Sequence, residues 1–176
     1  MTRPERLSPE IVQRLRARDR AAFEECYRRF KDDLLRIASR LLADAHEAED
    51  ALHDIFLRVW DDVPSFRADS DFGTWIYRVA VNHCLNRLAR RRRWKLLAGR
   101  RKETATPTPS LDAERLLAGV APEFRVCLIL KDMEEFAHEE IAEMLGIPVG
   151  TVMSRVSRAR EQVRENFQRR KDSGMI

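Results

Sequence analysis

The sequence predicts an all-α protein with two small helical domains joined by a flexible linker. Apolar residues recur at spacings of three and four along most of the chain, which is the period of an amphipathic helix. Glycine and proline number only 6 and 7 in 176 residues, which favours helices over a turn-rich β protein. The polar, Thr/Pro-punctuated stretch 98–110 breaks the periodicity and is predicted to be the linker between residues 1–97 and 111–176.

Three helices are predicted at the start of the first unit. Ser8 caps a short helix that has Pro9 in its first turn. A longer helix spans about 19–43, and Asp44 caps the next helix, which ends at Pro64. The spacing predicts a buried seam on the long helix, formed by Phe23, Tyr27, Phe30, Leu34, Ile37 and Leu41.

Charge is distributed very unevenly along the chain, although the net charge is only +4. The helix from Asp44 to Asp62 has seven acids and one base, whereas the stretch from Arg87 to Lys102 has bases and no acid. This pattern predicts one surface for a polyanion and another for a basic partner. Phe56 and Trp60 lie four residues apart on the acidic helix, where they serve either the core or a docking face.

The helix predicted over 72–94 is mostly apolar around its circumference, with one exposed polar arc roughly 80° wide. Amides read base edges, tryptophan stacks on bases, and arginines bind phosphates. The arc and the basic run that follows it therefore predict a nucleic-acid surface; a core helix with a solvated basic end is the alternative. The residues are Trp75, Arg78, Asn82 and Asn86, followed by Arg90, Arg91, Arg92 and Arg93.

The loop before this helix contains an aromatic residue, Phe66, beside Arg67. From its position the ring either packs onto its own domain or meets an unstacked base. The sequence favours neither alternative.

The second unit has the signature of a helix-turn-helix. Ser110 caps a helix over 111–120, and Pro122 opens another. A short helix ended by Gly146 then precedes a last helix from Val149 to about Arg170. Its predicted buried seam is Val149, Val152, Val156, Ala159, Val163 and Phe167. Outside that seam lie Thr151, Met153, Ser154, Arg155 and Arg158, in the half that enters the major groove; a solvated helix in a small bundle is the alternative.

Several classes of protein are not favoured. Cys26, Cys84 and Cys127 are far apart in apolar helical contexts, so buried free thiols are expected, and neither a metal nor another cofactor is predicted. The sequence has no signal-peptide pattern and no run near the roughly 18 apolar residues of a membrane span, so a cytoplasmic protein is expected. It has no paired catalytic carboxylates and no phosphate-cradling glycine loop, so enzymatic activity is not predicted.

Four stretches, in this order, resemble the extracytoplasmic-function subgroup (group IV) of bacterial sigma-70-type sigma factors. They are AFEECYRRF (22–30), AEDALHDIFLRVW (48–60), FGTWIYRVAVN with its basic tail (72–93) and EEIAEMLGIPVGTVMSRVSRARE (139–161). The last motif alone is shared with other helix-turn-helix regulators, whereas all four in order are highly specific.

The resemblance implies a non-catalytic protein that binds core RNA polymerase, recognises promoter DNA and helps to melt it, under control of an anti-sigma factor. In the family the first unit binds the −10 element and the clamp coiled coil, and the second binds the −35 element and the flap. Phe66 and Asn82 match positions that hold a flipped-out −10 base, and Trp75, Arg78 and Asn86 flank them. The resemblance implies a −35 surface of Thr151, Met153, Ser154, Arg155, Ser157 and Arg158, and a polymerase-docking surface of Glu49, Asp50, Asp54, Phe56, Leu57 and Trp60.

The sequence departs from the family pattern at several positions. Met153 stands where Lys or Arg is common, and Asn86 where many members have Asp. Residues 135–137, Glu-Phe-Ala, replace a Gly-hydrophobic-Ser approach to the helix-turn-helix, and losing the Ser cap removes about 1 kcal/mol of helix support. These departures bear on promoter preference more than on the class of protein.

Two other functions compete with this interpretation. A helix-turn-helix regulator that is not a polymerase subunit would explain the last helix but not the acidic helix. A pure adaptor that sequesters a basic protein would leave the Asn82 arc and the last helix unused.

Overall fold

The computed structural model describes residues 7–67, 71–97, 116–117 and 119–173, and this part of the chain is helical without a strand. Its α-helices are α1 (Pro9–Arg16), α2 (Arg20–Leu42), α3 (Ala45–Asp62), α4 (Phe72–Leu97), α5 (Pro122–Leu128), α6 (His138–Leu145) and α7 (Val149–Asp172). A 3-10 turn, Val63–Ser65, follows α3, and a π-helical turn, Ile129–Met133, follows α5. The all-α prediction is confirmed.

The chain divides into two compact units, Met1–Cys84 and Leu85–Ile176. The division falls within α4. The predicted linker, 98–110, lies outside the described residues, as does most of the helix predicted over 111–120.

Side-chain caps set where the helices of the first unit begin. The Ser8 hydroxyl accepts a hydrogen bond from the Ile11 N–H at 3.4 Å. The Asp19 and Asp44 carboxylates accept from Ala22 N–H at 3.1 Å and Glu47 N–H at 2.9 Å. Each bond satisfies a backbone donor that has no partner within its own helix. The three predicted helix starts are confirmed.

The core of the first unit follows the predicted seam of α2 except at its first two positions, where Phe23 is only half-buried and Tyr27 is exposed. Phe30, Leu34, Ile37 and Leu41 are buried, whereas Tyr27 is 42% exposed, so its predicted burial is wrong. Cys26 takes the core position instead, and burial raises the pKa of its thiol to about 12 because the thiolate loses its hydration. The seam is offset by one residue, which leaves the tyrosine hydroxyl at the edge of the core, near water.

The second unit is built around α7. Val152, Val156 and Ala159 are buried as predicted, but Phe167 is 46% exposed, which contradicts its place in the buried seam. Near the end of α7, polar side chains bind the segment that precedes α5. Asn166 donates to the Leu116 carbonyl at 3.1 Å, and Gln162 accepts from the Ala121 N–H at 3.3 Å.

The turn between α6 and α7 depends on a left-handed residue. Gly146 ends α6 with φ +64°, a conformation that costs other residues about 1–2 kcal/mol. The Ile147 N–H then donates to the Ala142 carbonyl at 3.1 Å. The predicted helix-turn-helix is confirmed.

Helix α6 begins without a serine cap, and contacts from neighbouring residues replace that cap only in part. Ala137 has no side-chain acceptor, but the Glu140 carboxylate accepts the Ala137 N–H at 2.8 Å, which is one half of a capping box. Lys131 Nζ donates to the Phe136 carbonyl at 3.2 Å. Glu135 has φ +59°, so this non-glycine residue is held in the left-handed region.

We predict that Glu135→Gly raises the free energy of unfolding by about 1 kcal/mol, since glycine adopts positive φ without the Cβ clash. Urea denaturation followed by circular dichroism measures the change. The control is Glu143→Gly in the exposed interior of α6, which should lower stability by about 1 kcal/mol. Equal destabilisation by both substitutions would show that residue 135 is not strained.

Candidate nucleic-acid interface

Helix α4 has one buried side and one polar side. Ile76, Ala80 and Cys84 are fully buried, whereas Arg78, Asn82 and Asn86 are exposed. Residues on one side of a helix recur every three or four positions, so burying the first set points the second set away from the core. The predicted exposure of the arc is confirmed for Arg78, Asn82 and Asn86. We call these three residues the Asn82 stripe.

The basic run that follows is mainly exposed. Arg90, Arg92 and Arg93 are exposed and Arg91 is half-buried. Helix α4 continues through this run to Leu97, three residues beyond the predicted end at Trp94. The run is therefore the end of the same helix and is not a separate tail.

The prediction that Trp75 is exposed is wrong, because the loop before α4 covers it. Trp75 is only 9% exposed, and its ring centroid lies 5.3 Å from that of Phe66 and 5.4 Å from that of Phe72. Phe66 is 4% exposed and meets Phe72 edge to face at 5.4 Å. Of the two alternatives for Phe66, the structure shows the ring packed onto its own domain, in a three-ring aromatic cluster.

Hydrogen bonds tie one end of the loop to the 3-10 turn after α3 and the other end to α4. The Phe66 N–H donates to the Val63 carbonyl at 3.1 Å, which closes the 3-10 turn after α3. The Asp71 carboxylate accepts from the Thr74 N–H at 3.1 Å and caps the start of α4. The aromatic cluster therefore lies at the beginning of α4, and Asn82 follows about two turns later along the same helix.

One hydrogen bond and one longer polar contact join α4 to its neighbours in the first unit. The Tyr77 hydroxyl donates to Asp33 of α2 at 3.2 Å, and Tyr77 is itself 5% exposed. On α3, Asp54 lies 3.6 Å from His83 Nε2. Because His83 immediately follows Asn82, this contact places the Asn82 stripe relative to the acidic helix.

The acidic helix α3 exposes most of its predicted docking surface. Glu49, Asp50 and Asp54 are exposed, and Leu57 is 52% exposed. Phe56 is 4% exposed, so its predicted place on the docking surface is wrong and its core alternative is confirmed.

An aromatic cluster spans α2 and α3 beside this surface. Phe23 packs edge to face on Phe56 at 6.1 Å and on Trp60 at 5.0 Å. Arg18 lies over the half-buried Trp60 ring at 5.6 Å. The ring centroid of Tyr27 lies 4.7 Å from that of Phe56. Tyr27, which was predicted to be in the core, therefore forms part of the outer surface.

The predicted −35 surface lies mainly on the outside of α7. Met153 is 54% exposed, and Ser154, Ser157 and Arg158 are exposed, whereas Thr151 and Arg155 are half-buried. The Ser154 hydroxyl donates to the Thr151 carbonyl at 2.9 Å, which leaves its lone pairs available as acceptors. This half of α7 offers acceptors, a thioether and a guanidinium to a groove.

Two interactions connect α7 to α5 and to the π-helical turn that follows α5. Burial raises the pKa of the Cys127 thiol, while the nearby Arg155 acts in the opposite direction through charge and a hydrogen bond. Arg160 binds both carboxylate oxygens of Asp132, at 2.7 and 2.9 Å. This pairing raises the pKa of Arg160 and holds α7 to the π-helical turn.

Within the described ranges, His, Cys, Asp and Glu side chains form no group suited to hold a metal ion. No helix in that part of the chain has the length and apolar character needed to span a membrane.

Two family models match the chain in succession. Sigma-70 region 2 matches residues 26–94, and Sigma-70, region 4 matches residues 110–163. The first match includes most of α4, with the Asn82 stripe, and the second includes the helix-turn-helix.

Several curated proteins are similar over nearly the full chain. The RNA polymerase sigma-H factor of Pseudomonas aeruginosa is 30% identical over 90% of this chain and 93% of its own length. The ECF RNA polymerase sigma factor SigM of Mycobacterium tuberculosis is 32% identical, over 92% and 85%. The ECF RNA polymerase sigma factor SigW of Bacillus subtilis is 28% identical, over 89% and 94%.

Two solved structures share the fold. The sigma factor RpoE of Bartonella quintana, in complex with the anti-sigma factor NepR, matches with a TM-score of 0.69 at 23% identity, covering 83% of this chain and 96% of its own. CnrH, in complex with the cytosolic domain of CnrY, matches with a TM-score of 0.70 at 20% identity, covering 90% and 96%.

The fold and these surfaces define a class of protein: a helical DNA-binding protein with a helix-turn-helix. The chain belongs to the ECF RNA polymerase sigma factors.

We predict a large stability effect at Phe66 and almost none at Asn82. Phe66→Ala should lower the free energy of unfolding by about 3 kcal/mol, because it removes one ring from a buried cluster. Asn82→Ala should change it by less than about 0.5 kcal/mol, since Asn82 is exposed on α4. Thermal or urea denaturation checks both, and a large loss at Asn82 would mean that it is a structural residue.

Proposed function

We propose that this chain is a group IV sigma factor that binds core RNA polymerase, recognises the −35 and −10 elements and helps to melt promoter DNA. The observation that carries the proposal is the ordered pair of sigma-70 regions, 26–94 and 110–163, which fall on the Asn82 stripe and the helix-turn-helix. Its role is binding and not catalysis: a preformed surface favours the melted DNA over the duplex.

The proposed −10 surface comprises the Asn82 stripe and the aromatic cluster of Phe66, Phe72 and Trp75 at the start of α4. Unstacking a base costs a few kcal/mol, and a pocket that already exists offsets this cost when the base enters it. Asn82 and Asn86 supply amides for the base edge and Arg78 a guanidinium. Phe66 and Trp75 form the buried wall that holds the start of α4, and Arg90–Arg93 bind the backbone of the upstream duplex.

The proposed −35 surface is the outer side of the first half of α7. Arg158 and Ser157 are exposed there, and Thr151, Ser154 and Arg155 lie on the same half of the helix. Met153 gives this surface one apolar contact, which suits a thymine methyl group.

The acidic side of α3 is proposed to dock on the clamp coiled coil of the polymerase, and the second unit on the flap. Glu49, Asp50 and Asp54 complement a basic surface, and Leu57 adds apolar area at the same face. The half-buried Trp60 borders this face. The two solved structures of similar fold each hold an anti-sigma protein or a cytosolic protein domain, which supports control of this chain by an anti-sigma factor.

The proposed domains are a region 2-like unit over 1–97 and a region 4-like unit over 111–176, with 98–110 between them. The cytoplasm is the proposed location, because core polymerase acts there.

Reconstitution with bacterial core polymerase tests the proposal directly. Run-off transcription from a promoter library should yield promoter-specific transcripts only when the chain is present and no anti-sigma protein is added. Specific DNA binding without core polymerase, and without transcripts, would instead support a helix-turn-helix regulator.

We predict that Asn82→Ala reduces open-complex formation about tenfold while −35 binding stays unchanged, because only the melted strand reaches the stripe. Permanganate footprinting of the reconstituted holoenzyme measures opening. Gln13→Ala on the exposed side of α1 is the amide control and should open promoters as the wild type does. Equal loss of opening and of −35 binding would exclude the Asn82 stripe as the −10 surface.

For Arg158→Ala we predict the reverse, a loss of −35 affinity of about tenfold, which corresponds to one base contact worth 1–3 kcal/mol. Binding of holoenzyme to fragments with and without the −35 element isolates this effect. Arg164→Ala is a matched control, since it removes an exposed arginine from a later turn of the same helix. Unchanged affinity for the −35 fragment in the Arg158 variant would refute the assignment.

A further inference from the structure

Helix α7 has an arginine, Arg160, that the predicted −35 surface does not include. Arg160 binds both carboxylate oxygens of Asp132, through Nε at 2.9 Å and through Nη2 at 2.7 Å. A guanidinium has five N–H donors, so three remain after these two bonds. In the described part of the chain no protein atom accepts from those three, and the Arg160 side chain is 50% exposed. The guanidinium is therefore held in one direction and still has donors for a ligand.

The π-helical turn after α5 sets the position of Asp132. The Ile129 carbonyl accepts from the Glu134 N–H at 3.0 Å, which is the i to i+5 bond of a π-helix. Lys131, on the same turn, donates to the Phe136 carbonyl at 3.2 Å. These bonds stabilise the backbone on both sides of Asp132, so its carboxylate meets Arg160 from a well-defined position.

Folding stability alone gives this ion pair little purpose. The Asp132 side chain is 34% exposed, and exposed ion pairs contribute little to the free energy of unfolding. Two parallel hydrogen bonds, by contrast, fix the plane of a guanidinium as well as its distance. The geometry therefore suits the orientation of Arg160 better than the stabilisation of the domain.

Helical geometry places Arg160 on the same side of α7 as two residues of the predicted −35 surface. At about 100° per residue, Arg160 lies about 20° around the helix from Met153 and about 60° from Ser157. At 1.5 Å per residue it lies about 10 Å farther along the helix than Met153. The first turns of a recognition helix contact base edges. Arg160 follows those turns, where the phosphate backbone borders the groove.

We propose that Arg160 binds one phosphate of the DNA backbone at the −35 element, and that Asp132 is the positioning residue that orients it. The inference rests on the proposed function and adds a phosphate contact to the base contacts of α7. Asp132 occupies the Nε side of the guanidinium and leaves its Nη1–Nη2 edge, which binds phosphate through two parallel N–H bonds. Because the side chain is already oriented, less rotamer entropy is lost on binding.

Methylphosphonate linkages, which are neutral, test this contact one phosphate at a time. Holoenzyme reconstituted with the full chain is bound to fragments that contain the −35 element and have a single replaced phosphate. The wild type should lose about tenfold in affinity at the linkage that Arg160 contacts, as expected for one charge-assisted hydrogen-bonded contact. Arg160→Gln should bind the unmodified fragment about tenfold more weakly and should lose nothing further at that linkage.

The matched control is Arg169→Gln. Arg169 also pairs with an acid, Glu165 at 3.1 Å, but it lies on a later turn of α7. This variant should keep the wild-type pattern of sensitive linkages.

Asp132→Ala separates orientation from charge. It leaves Arg160 charged, so the slope of log affinity against log salt concentration should not become shallower. The loss at the assigned linkage should nevertheless fall from about tenfold to about threefold or less, because the guanidinium is no longer directed at one phosphate. In the Arg160→Gln background, Asp132→Ala should leave the pattern of sensitive linkages unchanged.

Three results would overturn the proposal. Identical linkage patterns in the wild type and Arg160→Gln would exclude the phosphate contact. A full tenfold loss retained by Asp132→Ala would exclude the positioning role. Tighter binding by Asp132→Ala, with no change in Arg160→Gln, would show instead that Asp132 keeps Arg160 away from DNA. Failure of wild-type holoenzyme to prefer fragments with the −35 element would count against the proposed function itself.

Discussion

The two-sidedness of α4 is the constraint on which the rest of the account depends. Its apolar side is fixed in the first unit by Ile76, Ala80 and Cys84, all fully buried. A helix cannot rotate about its axis without exposing such a side, so the core also determines where Asn82 points. Packing on the buried side of α4 therefore also fixes the direction of the exposed side, which is proposed to bind the base.

The opposed charges of the chain are separated onto different helices. Exposed acids lie on α3 and exposed arginines on the later turns of α4. The His83–Asp54 contact, at 3.6 Å, joins α3 to the part of α4 that lies in the first unit.

Local patterns in the sequence sufficed to predict the helices, the caps at Ser8, Asp19 and Asp44, and the turn at Gly146, because these depend on neighbours within four residues. Trp75 was mispredicted because a loop residue, Phe66, covers it, and a helical wheel contains no loops. Tyr27 was misplaced because spacings of three and four do not decide between neighbouring residues, and Cys26 takes the core position. Phe167 was misplaced because the apolar spacing of α7 continues beyond the residues that are buried. The positive φ of Glu135 and the π-helical turn carry no local signal that periodicity detects. The roles assigned to the site residues remain predictions.

The central claim is that this chain makes core polymerase unstack one −10 base beside α4. The most direct measurement replaces each −10 adenine in turn with 2-aminopurine and follows its fluorescence when reconstituted holoenzyme binds. The account predicts a rise at one position, absent with core polymerase alone. No rise at any position, or the same rise without the chain, would contradict it.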